Sequence, residues 1–465
     1  MGIGTAQRFF AGNWQRIVSG SINRRIFGAL LTVGGFSSLV RMGYAIQAVV
    51  AAALYGRSDA FEAFLIASTV PLVTMNIVGS SFNSAVIPVY VRVRDHQGRP
   101  AAQALVSGVV LVSAGILAAV VGLLALASPY FLPVLAIGFN HEKLVLTQGL
   151  FYILAPTILL KGFATNWAAI LNAAERFALA SAAEILVPLA AIASLLALGP
   201  VWGIYALAIG MVAGFVLQLC LLGRALAAQG VSLRPRWRGF QPPLQQVVSQ
   251  YVPLAAGATI WTSSVLVDQA MAAALPRGSV AALNYGSYTV IAVTAIGTVA
   301  LGTAVLPYFS SMVADADWTG LRHSLKVYTR LIIAVSVPLT LLVCAFSQQL
   351  VGLAFQRGAF SHADTVAVGH VQALFVLQVP FFALTVLYVR LIAALQSNYI
   401  SVWGVTLGVV LNFVLDYALM QILGVAGIAL ATSLVYLVLC GFLFVMLRRR
   451  LALAEGGSPS SGPAH

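Results

Sequence analysis

Short polar stretches divide the chain into a succession of apolar runs, each long enough to cross a lipid hydrocarbon core, and this feature leaves few folds open. Crossing a core of about 30 Å takes roughly 20 predominantly apolar residues in a helix. Runs of that length fall near 27–55, 64–91, 104–130, 144–172, 177–198, 201–224, 251–275, 284–313, 326–355, 365–395, 400–422 and 425–447. The expectation is an all-α polytopic membrane protein of about twelve transmembrane helices. The longest runs are read as tilted or bent spans projecting beyond the bilayer.

With 60% hydrophobic and only 8% charged residues, a soluble globular domain is excluded. The 25 Lys and Arg against 12 Asp and Glu give a net charge of +13, a balance that raises nucleic acid as a partner. The placement of the cations argues against it. Arg8, Arg16, Arg24, Arg25, Arg92, Arg94, Arg99, Arg176, Arg224, Arg234, Arg236, Arg238, Arg322, Lys326, Arg330 and Arg448 to Arg450 fall on one face of a twelve-span topology, whereas Arg57, Lys143, Arg277 and Arg357 fall on the other. Positive charge collects on the cytoplasmic side, so both termini are expected in the cytoplasm of a cell whose inner membrane holds the chain. Residues 1–25 contain no apolar core of a cleavable signal, and the first apolar run is too long to be one. Cys220, Cys344 and Cys440 lie in apolar runs at no metal-ligand spacing and read as inert thiols.

The runs also repeat. "AAAL" recurs at 51–54 and 272–275, "SAVIPVYV" at 84–91 answers "TAVLPYFS" at 303–310, Pro156 answers Pro380, and "GPVWGIYALA" at 199–208 answers "GVAGIALAT" at 424–432. The offset stays within 219–224 residues. This predicts two pseudo-symmetric six-helix halves, 27–224 and 251–447, with parallel orientation around a central cavity. A cytoplasmic segment 1–26 precedes them, a basic linker 225–250 joins them, and a polar, disordered tail 448–465 follows.

Polar residues inside the spans carry the functional reading, since a charge in hydrocarbon is costly. Thr69, Asn76, Ser80 and Asn83 fall on one face of the second span, and Ser287, Thr294 and Thr298 on one face of the eighth, its counterpart. They line a wet cavity or serve as helix–helix glue. Arg41 lies about fourteen residues into the first span with Ser37 and Tyr44 on its face, and Lys161 shares a face of the fourth span with Thr157, Thr165 and Asn172. Arg390 is near enough to a span end to reach the interface. Such cations imply an anionic substrate group, phosphate or pyrophosphate. The acids Asp268 and Asp416, with Asn412 one turn before Asp416 and Thr432 on the twelfth span, form an oxygen-rich set for Na⁺ or H⁺. The competing reading pairs the two acids with Arg41 or Lys161. No hydrolase or paired-carboxylate constellation is present, and His323, His362 and His370 are scattered, so an enzyme is not expected.

The segments "GRSDAFEAFLIASTVP" (56–71), "LGTAVLP" (301–307), "QRGAFSHADT" (356–365), "LNFVLDYALM" (411–420) and "GVAGIALATSLVYLV" (424–438) resemble the MurJ/MviN family of lipid-linked oligosaccharide flippases, within the multidrug/oligosaccharidyl-lipid/polysaccharide exporter superfamily. The resemblance covers residues 30 to 445. It implies alternating-access movement of a polyprenyl-pyrophosphate-linked saccharide, lipid II or an exopolysaccharide unit, from the cytoplasmic to the periplasmic leaflet, coupled to a cation. It also implies a sodium site at Asp268, Asn412, Asp416 and Thr432 with a backbone carbonyl near Ile428, a cavity arginine at Arg41, and an acid after the first span at Asp59. The chain departs from the family where further cavity arginines are common: Gln47, Met75 or Asn76, and Tyr288 stand there, with Lys161 as a substitute cation, and the chain ends after the twelfth span. The expected partners are an undecaprenyl-type substrate and membrane lipids, with no nucleic acid and no cofactor beyond the coupling ion. The expected state is a monomer beside the envelope polysaccharide machinery. A multidrug or metabolite cation antiporter of the same superfamily and a non-transporting envelope scaffold are the alternative functions.

Overall fold

The computed structural model describes residues 22–173, 176–230 and 239–456. The basic stretches at 1–21 and 231–238 and the tail 457–465 lie outside the described residues, as do the side chains of Ser80, Asn83 and Thr298. Among the described residues there is no strand. The helices are α1 (Ile22–Tyr55), α2 (Asp59–Leu135), α3 (His141–Leu154), α4 (Pro156–Ala173), α5 (Phe177–Ala182), α6 (Leu186–Trp202), α7 (Tyr205–Ala228), α8 (Pro242–Ala273), α9 (Ser279–Ala314), α10 (Trp318–Ala345), α11 (Ser347–Phe355), α12 (His362–Val376), α13 (Val379–Ala394), α14 (Tyr399–Leu423) and α15 (Val425–Gly456). Ten of the described helical stretches are long and apolar enough to cross a membrane. α8 and α9, of 32 and 36 residues, occupy the positions of the seventh and eighth expected spans.

Several spans are helical pairs. The expected fourth span breaks ahead of Pro156 into α3 and α4, and the tenth breaks at Leu377–Gln378, ahead of Pro380, into α12 and α13. A proline early in a helix lacks an N–H that has no intrahelical partner there anyway, so it starts a helix where it would break one further in. The fifth span contains a short 3₁₀ turn at Ala183–Ile185 between α5 and α6. The expected loop between spans two and three is almost absent. α2 continues through it with one break, Gly98 (φ 81°, ψ 175°), followed by Pro100.

The duplication is visible in the backbone. α6 ends at Gly203 (φ 55°, ψ −137°) and α14 at Gly424 (φ 60°, ψ −138°), nearly the same turn 221 residues apart, and each leads directly into the following helix. That backbone conformation is open to glycine and costly for other residues. The paired breaks at Pro156 and Pro380 are a second match.

By packing, the chain forms two compact units: Met1–Gln47, Thr74–Ala127 and Leu150–Ala255, and Ala48–Val73, Ser128–Gly149 and Ala256–His465. The first is cored by Val86, Val89, Leu105, Val109, Leu244 and Val247, and by Leu171, Ala183, Leu222 and Leu226. The second is cored by Phe309, Leu321, Leu387, Leu391, Leu443 and Leu447. Because lipid tails are as apolar as leucine, these contacts hold through close packing rather than through escape from water. Small residues set the closest approaches: a Cβ on Gly214 would stand 2.6 Å from the backbone of Val187, where α7 crosses α6.

Candidate functional site

Two polar constellations in the second unit and one in the first stand out from an apolar background. The first lies at the ends of α1, α2, α3 and α9, around Arg57, Lys143 and Arg277, three of the four cations that the topology sets apart. Ser58 caps α2, its hydroxyl accepting from the Phe61 amide, and places Asp59 and Glu62 in the first turn, where carboxylates suit the positive end of the helix dipole. Glu62 is 1% exposed. One of its carboxylate oxygens accepts from Lys143 Nζ at 2.6 Å, and the other from the Val280 and Ala281 amides at 2.7 and 3.3 Å. Glu62 therefore satisfies the opening amides of α9 while neutralising a lysine that is itself buried. Asp59 bridges Lys143 (3.0 Å) and Arg277 (2.9 Å). Arg57 donates to Gly278 O at 2.9 Å and pairs with Asp364 at 3.3 Å.

The same region explains the "QRGAFSHADT" motif. Ser361 and Asp364 form a reciprocal capping box at the start of α12. Ala359 N donates to Ala53 O at 2.8 Å, and Phe360 is buried against Tyr285 at 5.3 Å between ring centroids. Tyr285 stacks on Phe61 and donates its hydroxyl to Gly56 O at 3.2 Å. Gly56 (φ 52°) and Gly358 (φ 57°) lie back to back here: a Cβ on the first would meet Ala359 O, and a Cβ on the second Ala53 O. We expect Gly358→Ala to cost about 1–3 kcal/mol, read as a lowered unfolding temperature in detergent. Gly115→Ala, at a helical site with nothing within 4 Å, should be neutral or mildly stabilising.

The second constellation is the acid pair. Asn412 Nδ2 donates to Asp268 Oδ1 at 3.0 Å, joining α14 to α8. Asp416 is fully buried, and neither of its carboxylate oxygens has a hydrogen-bond partner, nor does Asn412 Oδ1. Thr432 donates its hydroxyl back to Ile428 O at 3.1 Å, within α15. A fully buried carboxylate without a donor is costly. Asp268, Asn412 and Asp416 thus bring two carboxylates and an amide oxygen together on α8 and α14, donor types that suit a small hard cation or a shared proton.

The third constellation, in the first unit, joins Lys161 to Glu184 at 2.6 Å. The alternative that Lys161 pairs with Asp268 or Asp416 is thereby corrected: a nearer acid takes the lysine, at the 3₁₀ turn between α5 and α6. Arg41 is exposed and makes no ion pair among the described residues.

The remaining expected residues disperse. Asn76 is exposed, Ser287 donates to Asn284 O in its own helix at 2.7 Å, and Tyr288 packs by the Phe355 ring at 6.1 Å. Arg390 is half-buried near the end of α13. Sequence reasoning missed Glu62, Glu184 and Asp364, although a first-turn glutamate in an otherwise apolar run was a signal available for Glu62.

The family model described as "Lipid II flippase MurJ" matches residues 51–458. The chain belongs to that family. The lipid II flippase of Burkholderia cenocepacia is 28% identical over 353 residues, covering 74% of this chain and 68% of the relative. A probable lipid II flippase of Synechocystis is 29% identical over 430 residues, covering 87% and 78%. In fold, this family member matches a lipid II flippase structure in an inward closed conformation with a TM-score of 0.76 at 19% identity, over 91% of this chain and 89% of the other. An inward-facing multidrug resistance transporter of the MATE family matches with a TM-score of 0.77 at 11% identity, over 92% and 100%. These likenesses identify a multi-pass membrane protein of a transporter family rather than of a catalytic one.

Proposed function

We propose that the chain moves a polyprenyl-pyrophosphate-linked saccharide of the lipid II type from the cytoplasmic to the periplasmic leaflet by alternating access. The observation that carries this reading is the family match across almost the whole membrane domain. Arg41 and Lys161, cations at membrane depth, supply the attraction for pyrophosphate. Asp268, Asn412, Asp416 and the Ile428–Thr432 turn hold the coupling cation, Na⁺ or H⁺, whose charge neutralises the acid pair. The network around Glu62, Lys143 and Arg57 closes the periplasmic side, and both termini lie in the cytoplasm. Gln47, Met75 or Asn76, and Tyr288, where the family resemblance implies further cavity arginines, favour an exopolysaccharide precursor as the second reading, because fewer cations suit a less highly charged headgroup.

The test is flipping of fluorescent lipid II and of a polyprenyl-pyrophosphate oligosaccharide in proteoliposomes, with and without a Na⁺ gradient. Arg41→Ala should slow transport about tenfold or more, the equivalent of one charge-assisted contact of about 1.5–3 kcal/mol. The lipid that moves faster names the pathway. If neither moves while the protein remains folded, the substrate class is wrong.

A further inference from the structure

We infer that Glu184 is a displaceable internal counter-ion, which occupies Lys161 until the phosphate of the incoming substrate takes its place. The inference rests on the reading of the substrate as a phosphate-bearing lipid. Lys161 lies eleven residues inside the end of its apolar span at Asn172, and Glu184 lies seven residues past Phe177 on the adjoining span, roughly 16 and 10 Å along their helices. An ion pair at that depth cannot face hydrocarbon cheaply, yet the two side chains are 27% and 44% exposed. They therefore face a wet space that a ligand can enter. A counter-ion needed only for stability would be sealed in, as Glu62 and Lys143 are at 2% and 8% side-chain exposure.

The surroundings are arranged for exchange. α1 lies hard against α6, with Gly43 so near Pro188 that a Cβ would stand 2.9 Å from the proline ring. Tyr44, packed with Leu160, Met75, Val187 and Phe215, is consequently brought into electrostatic range of Glu184. Arg41 precedes Tyr44 by three residues on the same helical face and has no ion-pair partner among the described residues. A pyrophosphate carries enough negative charge to hold Lys161 in place of Glu184, and it releases Glu184 to the aqueous space when it does.

The affinity consequence is quantitative. An occupancy of about four in five for the Lys161–Glu184 pair would reduce the phosphate affinity of Lys161 about fivefold. The experiment measures binding of farnesyl diphosphate to the purified full chain in detergent, for wild type, Glu184→Gln, Lys161→Ala and the double variant, with the unfolding temperature recorded for each. Glu184→Gln should bind about fivefold more tightly, Lys161→Ala more weakly, and Glu184→Gln should add nothing in the Lys161→Ala background. Unchanged or weaker binding by a folded Glu184→Gln, or an equal gain in both backgrounds, overturns the inference. Binding that is weakened by Lys161→Ala but unchanged by Glu184→Gln removes this inference and leaves the substrate reading intact. Absence of binding in every variant removes both.

Discussion

Replacing Glu62 with alanine is expected to destabilise the second unit by about 3 kcal/mol, the lower part of the range for stripping a buried charge of its partner. Two losses combine. Lys143 is left at 8% side-chain exposure with only Asp59 nearby, which is 40% exposed and shared with Arg277. The Val280 and Ala281 amides also lose their carboxylate acceptor, a loss of about 1–3 kcal/mol where water cannot substitute. The residual Asp59 contact is the reason the value falls low in the range. Because a buried pair contributes little net stability over an apolar replacement, Glu62→Leu combined with Lys143→Met should recover the part of the loss due to the stranded lysine, while the Val280 and Ala281 amides stay without their acceptor. Thermal unfolding of the purified protein in detergent reads both results. A Glu62→Ala protein as stable as wild type would mean that Lys143 and the α9 amides find solvent, and that the network is not closed to water.

Asp416→Asn should abolish stabilisation by Na⁺ and reduce Na⁺-driven flipping at least about tenfold. On the proposed coupling, a cation held between Asp268 and Asp416 in wild type would stabilise the folded state by about 2.7 kcal/mol at a concentration one hundred times its Kd. The unfolding temperature should therefore climb with NaCl and not with choline chloride at equal ionic strength. Asparagine keeps the shape and removes one charge. The variant should accordingly match or exceed wild type in Na⁺-free buffer, since a buried carboxylate lacking any donor is replaced by a neutral amide, while its response to NaCl is lost. A wild-type unfolding temperature indifferent to Na⁺ but responsive to pH would assign the site to protons. Indifference to both would remove the ion-coupling reading.

The class of this protein was legible from run length alone, because a succession of membrane-length apolar segments admits few folds and the spacing of polar punctuation follows bilayer thickness. The duplication was legible too, in the recurrence of Pro156 as Pro380, each in the first turn of a helix, whereas the matching turns at Gly203 and Gly424 showed only in the backbone. The Asn412 to Asp416 spacing identified a polar face of one helix, and a polar face is a local property of a 3.6-residue period. Partnership is not local. That Asn412 donates to Asp268, 144 residues away, that Lys161 is taken by Glu184, and that Glu62 serves α9 and Lys143 together depend on which helix faces meet. Membrane class, helix succession and polar positions follow from composition and period along one chain and can be read there. Which charges neutralise one another is a matter of packing, because at membrane depth the cost of an unpaired charge is relieved by whichever opposite group the fold brings within about 3 Å.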